Sequence, residues 1–313
     1  MEKLVDTHGR HIHKLRLSLL DTCNFRCIYC MPQNPIFLPT KALLSRNEFF
    51  EISKILVGLG IDEIRLTGGE PTIRSDFMGI VKDISSLDLK RLGLTTNGVN
   101  LKKYLPLLKE TNCSNINFSM DSLNEKTFLK TTGSKDFKKV FDSLLTAKEL
   151  GFNIKVNCVL MRGINDHEIS DFIEFSGKYD VEIRFLELMR IGPGRNKFNE
   201  YFVSADEVVD ELKKFSPLES IELPKDSTSF NFKLSNNANI GLIASESRPF
   251  CGDCSRLRLS AIGEIRPCLM LDKGFSLRGK SSQEIENLLF KTMALKPTER
   301  IYEVVQPMNQ IGG

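Results

Sequence analysis

Cys23, Cys27 and Cys30 are separated by three and then two residues and follow the apolar run 15–20. Three thiolates without a fourth suit an iron–sulfur cube that keeps one iron open to a small molecule, whereas a closed cluster or a structural zinc takes four ligands. A second set lies near the other end, where Cys251 and Cys254 have two residues between them and Cys268 follows after thirteen more. Residues 256–259 read as a strand, 261–264 as a turn and 265–268 as the returning strand, so a hairpin would carry Cys268 back beside the other two. Strand alternation puts Arg256 and Arg258 on one face, with Leu257 and Leu259 on the other. Two guanidiniums beside a metal site suit a phosphate or a purine edge. Zinc is the competing reading for both sets: His11 or His13 could complete the first, and the second could be a structural zinc hairpin.

The elements that must position these residues follow a regular rhythm. Strand-like runs at 15–20, 63–67, 91–95, 115–120, 153–160 and 182–187 alternate with segments whose apolar residues recur at helical spacing, such as Phe49, Ile52, Ile55, Leu56 and Leu59. Ser45, with Glu48 three residues on, and Asp166 stand where helix N-caps belong. Six β-then-α units imply a parallel sheet with right-handed crossovers, either an open, incomplete barrel or a doubly wound sheet. In both, active residues gather at the C-terminal ends of the strands. Those ends hold Cys23, Gly68, Gly69, Thr95, Asn97, Ser119 and Met189. After about residue 199 the rhythm breaks, which predicts a smaller, separately built lobe over the last hundred or so residues.

With 313 residues, 41% hydrophobic and 27% charged, the composition is that of an ordinary soluble globular chain. No apolar run approaches a membrane span, and the polar start is not a secretory signal. A cytoplasmic protein is expected, in which eight cysteines point to metal or redox chemistry and not to disulfides. A net charge of +3 does not call for nucleic acid, so an anionic partner must be recognised locally. Cys113 and Cys158 read as buried structural residues, and His8, His11 and His13 as surface residues ahead of the first strand.

The stretch 23–30, with aromatic Tyr29 before its last cysteine, and the Gly-Gly-Glu-Pro run at 68–71 resemble the radical S-adenosylmethionine (radical SAM) enzymes. Adding the second triad, the Arg-x-Arg inside it and the terminal Gly312 and Gly313, the chain resembles the GTP 3′,8-cyclase family from about residue 15 to its end. The runs Leu94 to Gly98, Ser119 to Asp121, Lys155 to Asn157, Gly163 to Asp166 and Glu182 to Phe185 carry the same likeness.

The resemblance implies an α/β fold: an incomplete (β/α)6 TIM-like barrel over residues 1–200, and an α+β lobe over 201–313 carrying a second cluster. It implies two [4Fe-4S] clusters, the first on Cys23, Cys27 and Cys30 and the second on Cys251, Cys254 and Cys268. SAM would meet Tyr29, Gly69, Ser119 and Met189. GTP would meet Arg16, Arg65, Thr95, Lys155, Arg256, Leu257 and Arg258, with Arg16, Arg184, Arg256 and Arg258 serving the chemistry. The product would be 3′,8-cyclo-7,8-dihydro-GTP, made in the first step of molybdenum cofactor biosynthesis. An external electron donor and a downstream pyranopterin-forming enzyme would be partners, the chain a monomer or homodimer, and nucleic acid and membrane no part of its work. The alternatives are a radical SAM peptide-modifying enzyme with an auxiliary cluster and a zinc-stabilised binding module.

Overall fold

The computed structural model describes residues 4–311, so the terminal Gly312 and Gly313 lie outside the described residues. Six strands answer the predicted runs: β1 (Lys14–Ser18), β2 (Glu63–Thr67), β3 (Arg91–Thr96), β4 (Asn115–Ser119), β5 (Asn153–Val159) and β6 (Glu182–Leu186). They pair in sequence order and every pair is parallel. In β1 the alternation is plain: Leu15 and Leu17 are buried in the hydrophobic core, while Lys14 and Arg16 line the cavities of the inner face. The strand stops at Ser18 because the next residues receive another backbone, the carbonyl of Leu20 accepting from the Gly69 amide at 2.7 Å.

The crossover helices form where their caps and apolar stripes require. Helix Arg46–Gly58 opens on a capping box between Ser45 and Glu48, and buries Phe49, Ile52 and Leu56 along one side. Asp166 departs from its predicted cap role. It begins a single 3-10 turn, its carboxylate accepts from the Gly163 amide at 2.9 Å, and helix Ile169–Tyr179 starts only after it. Phe49, Phe77, Phe118, Phe128, Phe172 and Phe185 are fully buried. Each such ring contributes about 2–3 kcal/mol by leaving water, which lets the inner face of the sheet stay charged. Cys113 and Cys158 belong to this core, as expected.

The remaining strands are β7 (Glu219–Ile221), β8 (Phe230–Lys233), β9 (Asn239–Ile243), β10 (Arg256–Leu259), β11 (Glu264–Arg266) and β12 (Phe275–Ser276). With helices Ala205–Phe215 and Ser282–Ala294 they make the expected smaller α+β lobe. It is not separately built, however. β9 pairs in parallel with β6 and β10 in parallel with β1, giving one sheet in the order β12-β11-β10-β1-β2-β3-β4-β5-β6-β9-β8-β7. An open barrel leaves two edges of unpaired amides and carbonyls, and the C-terminal chain satisfies both.

Candidate active site

The Gly-Gly-Glu-Pro turn holds the first cysteine loop. A Cβ on Gly69 would fall 2.1 Å from the Thr22 carbonyl oxygen, and one on Gly68, whose φ is +151°, would fall 2.6 Å from that of Leu20. These glycines therefore admit the chain's own backbone, which the Gly69 and Glu70 amides grip at 2.7 and 2.9 Å. Buried Glu70 accepts at Oε1 from the Thr72 amide, Thr72 Oγ1 and Thr96 Oγ1 (3.0, 2.6 and 2.7 Å), and at Oε2 from the Asn97 amide (2.6 Å). It ties the end of β2 to the end of β3, and Oε2 keeps room for one more donor. Asn97 continues the frame by donating to Asn24 Oδ1 at 2.7 Å and lying 3.9 Å from Cys23 Sγ.

Burial pushes the Cys23 thiol up to about 11 and Cys30 to about 12, and raises Cys27 well above the usual thiol value by the same cause. Three half-buried thiols with values raised in this way ionise near neutral pH only against nearby positive charge, such as metal supplies. The Tyr29 hydroxyl donates to Asp121 Oδ2 at 2.9 Å, while Asp121 Oδ1 takes the Val159 amide at 2.9 Å. Burial lifts Asp121 to about 6.

Cations crowd the inner face. Arg258, Arg16 and Arg65 are register partners on adjacent β10, β1 and β2. Gly93 on β3 makes room for the last, since a Cβ there would meet the Arg65 guanidinium at 3.0 Å. Burial and the neighbouring guanidiniums lower Arg16, and burial lowers Arg65 and Arg258 to about 10. Glu182 accepts from Lys155 Nζ and Arg184 Nε, each at 2.6 Å.

At the other triad, burial would raise Cys254, but Arg256 and Lys296 outweigh it and bring the thiol down to about 6. Arg256 Nη2 stands 3.4 Å and Lys296 Nζ 3.2 Å from its sulfur. The predicted hairpin forms as β10 and β11, turning at Gly263 with φ +86°.

One cavity of about 350 Å³ joins these parts. All six cysteines line it, as do Arg16, Tyr29, Gly69, Thr95, Ser119, Arg184, Met189, Arg256 and Arg258. A neighbouring cavity of about 140 Å³ shares Arg16, Arg184 and Arg256 with it and adds Arg65. Lys155 lines neither cavity and is held by Glu182. The Leu257 side chain is wholly buried in the core, which leaves only its backbone to meet a nucleotide. The histidines also differ from expectation. His11 and His13 are half-buried and stacked, and His13 bonds Asp62 and Asp226 at 2.7 and 2.9 Å.

Residues not singled out from sequence complete the wall. Asn157, Thr228, Ser245, Arg300 and Asn309 line the main cavity, and Asn309 donates to the Asp21 carbonyl at 3.0 Å. Asn157 and Asp121 fall inside runs that carried the family likeness; Thr228, Ser245, Arg300 and Asn309 have no local motif. Buried Arg16 Nε, Thr95 Oγ1, Asn157 Oδ1 and Ser245 Oγ lack protein partners, as donors and acceptors awaiting a polar ligand would.

The donor sets can be tested against metal. Around one zinc, thiolates sit about 3.8 Å apart, given Zn–S bonds of about 2.3 Å. Among the described residues, neither triad brings three ligand atoms within 4.8 Å of one another; only His13, Asp62 and Glu63 do so. The wider spacing fits sulfurs bound to separate irons of a cube.

The sheet and the open triad over its strand ends define a radical SAM enzyme. Residues 17–176 match the Radical SAM superfamily and residues 181–301 match Molybdenum Cofactor Synthesis C. The chain is 46% identical over 310 residues to a GTP 3′,8-cyclase of Synechocystis sp., covering 99% of this chain and 95% of that one. It is 42% identical to a GTP 3′,8-cyclase of Aquifex aeolicus, covering 90% and 89%. Streptococcus suis SuiB bound to S-adenosylmethionine shares the fold with a TM-score of 0.62 at 14% identity, over 92% of this chain and 69% of that one. The chain belongs to the GTP 3′,8-cyclase family.

Proposed function

We propose that the cavity is a single reaction chamber in which SAM occupies the Cys23 end and GTP the Cys251 end. The observation that carries this is the shared lining: both triads and Arg16, Arg184, Arg256 and Arg258 face one space, with Arg65 in the cavity adjoining it. The protein is a radical SAM GTP 3′,8-cyclase acting in molybdenum cofactor biosynthesis. Cys23, Cys27 and Cys30 would hold a [4Fe-4S] cluster, which would supply the low-potential electron for reductive cleavage of SAM and so the means to take hydrogen from C3′ of GTP.

The chain's residues do the rest. Tyr29, Gly69, Ser119 and Met189 hold SAM beside the open triad. Arg16, Arg65 and Arg184 take the triphosphate, with Lys155 behind Glu182 as a further cation. Their mutual repulsion makes the site anion-seeking, and GTP is the polyanion that offsets it. Thr95 and Asn157 offer otherwise orphaned polar atoms to the nucleoside. Arg256 and Arg258, beside Cys254, orient the base so that C3′ and C8 approach before the ring closes. Cys251, Cys254 and Cys268 would hold a second [4Fe-4S] cluster, which would supply an open iron at the guanine end of the cavity. The division runs near residue 200, between a barrel that carries the first triad and the phosphate-facing cations and a lobe that brings the second triad with Arg256 and Arg258 to the base.

The product is a cyclic dihydro-nucleotide: once C3′ has lost its hydrogen and joined C8, one further electron and a proton complete the reduced ring. An external reductant and a downstream pyranopterin-forming enzyme are the implied partners. Eight cysteines without a disulfide suit a reducing cytoplasm, the compartment we infer, and no helix among the described residues is long and apolar enough to cross a membrane.

The test is anaerobic reconstitution with iron and sulfide, then incubation with SAM, dithionite and GTP, assaying 5′-deoxyadenosine and nucleotide together. GTP-dependent deoxyadenosine with 3′,8-cyclo-7,8-dihydro-GTP is the expected result. Deoxyadenosine with GTP untouched would return the chain to a radical SAM enzyme of another substrate, a peptide among them. In Cys254→Ala, SAM cleavage should survive while cyclised product disappears; a normal product yield would remove the second cluster from the mechanism.

A further inference from the structure

Lys296 stands just beyond helix Ser282–Ala294 and is 3% exposed. Its ammonium donates to three acceptors, all on the second-triad hairpin: Cys254 Sγ at 3.2 Å, the Arg256 carbonyl at 2.6 Å and the Pro267 carbonyl at 3.0 Å. No carboxylate among the described residues pairs with it, and the anion within reach is the Cys254 sulfur. A cation buried this deeply without a counter-charge is expensive, so the site is built for a thiolate and what the thiolate binds. The lysine's backbone is itself fixed. Buried Arg10 donates to the carbonyls of Lys296, Pro297 and Cys251 at 3.0, 2.7 and 2.7 Å, fastening the lysine and the first ligand of the triad to one guanidinium. Arg256 also reaches Cys254, but it lines the substrate cavity and can be drawn to a nucleotide. Lys296 lines neither cavity, so its contact persists with or without substrate.

We propose that Lys296 is a positioning residue and resident counter-cation of the second cluster, holding Cys254 and the Pro267 turn at ligand spacing and raising the cluster's reduction potential through its N–H···S bond. The proposal rests on the second-cluster reading. Reduction adds negative charge to a cluster, and a fixed ammonium on one of its sulfurs favours the more negative form. Taking that ammonium away lowers the potential.

The experiment is a redox titration followed by electron paramagnetic resonance on anaerobically reconstituted full-length protein, in a Cys23→Ala background so that the second cluster is read alone. Lys296→Met removes charge and donor, Lys296→Gln keeps an N–H without charge, and Lys296→Arg keeps both. Met and Gln are expected to lower the midpoint, with Arg close to the parent. The first cluster, read in a Cys254→Ala background, is expected not to move. An unchanged second-cluster midpoint at full iron content overturns the proposal, as does an equal shift of both clusters. If the Met and Gln variants fail to load iron, Arg decides: restored loading and potential support the role, and failure to restore them overturns it. Otherwise wild-type protein that binds only about four irons and shows no second signal overturns the second-cluster reading, and this proposal with it.

Discussion

Arg16 on β1 is the in-register neighbour of Arg258 on β10, so two guanidiniums stand side by side on the inner face, with Arg65 flanking Arg16 on β2. Like charges in such positions weaken a sheet by up to about 1 kcal/mol a pair, and burial adds to the strain. A polyanion should relieve it. Tripolyphosphate alone, without SAM, is expected to raise the melting temperature by about 5 °C at a hundredfold excess over its Kd. Arg16→Gln should lose most of that rise while starting from an equal or higher Tm. An undiminished rise in the variant, followed by calorimetry, would detach the arginine row from anion binding.

Gly69→Ala should disable one triad and spare the other. The added methyl would sit 2.1 Å from the Thr22 oxygen and 2.6 Å from that of Asp21, both backbone atoms that cannot swing away. Relief requires the cysteine loop to leave the turn, at a local cost upward of about 3 kcal/mol. Iron analysis of the reconstituted variant should fall by about half, with the second cluster's signal intact. Full iron content would show that the turn does not set the loop.

Much of this arrangement is legible in the chain because the chemistry is local. Cys23 to Cys30 and Gly68 to Pro71 are contiguous motifs, and alternation placed Arg256 and Arg258 on one face correctly. What is not legible depends on contacts distant in sequence. The pairing of β10 with β1, across more than two hundred residues, leaves no trace in either strand, so the lobe read as separate when it closes the sheet's edges. The grip of Glu182 on Lys155 and Arg184 needs β5 and β6 in register, which neither strand shows by itself. Lys296 sits in no motif; its partners are set by a helix end meeting a hairpin.

Thiols of the two triads should react unequally in metal-free protein. Cys254 is brought down to about 6 because Arg256 and Lys296 overcome its burial, while burial, helped by nearby anionic groups, pushes Cys23 up to about 11 and Cys30 to about 12. A thiolate reacts and a thiol does not, so raising the pH through about 6 should switch on iodoacetamide labelling of Cys254 and leave the other two silent up to pH 8. Peptide mass spectrometry across pH 5–8 reads the order directly. Labelling of Cys30 ahead of Cys254 would contradict the charge distribution around both triads.

Glu182 and Lys155 should separate stability from binding. Lys155→Met leaves Glu182 bonded to Arg184, so the fold should lose about 1 kcal/mol or less while GTP binding weakens roughly tenfold and SAM binding is unchanged. Glu182→Gln does the reverse: two part-buried cations lose their counter-charge, at about 1–3 kcal/mol after allowance for their exposure. Although burial raises it, Arg184 and Lys155 hold the Glu182 carboxyl below its usual range. Its contribution is therefore complete above about pH 4.3, the ordinary glutamate value, and is lost as the pH falls through the lower folded value. Saturating GTP should recover more Tm in Glu182→Gln than in the wild type, because the triphosphate takes over the missing charge. Equal recovery in both, by differential scanning calorimetry at pH 7.5, would mean that these cations do not meet the phosphates.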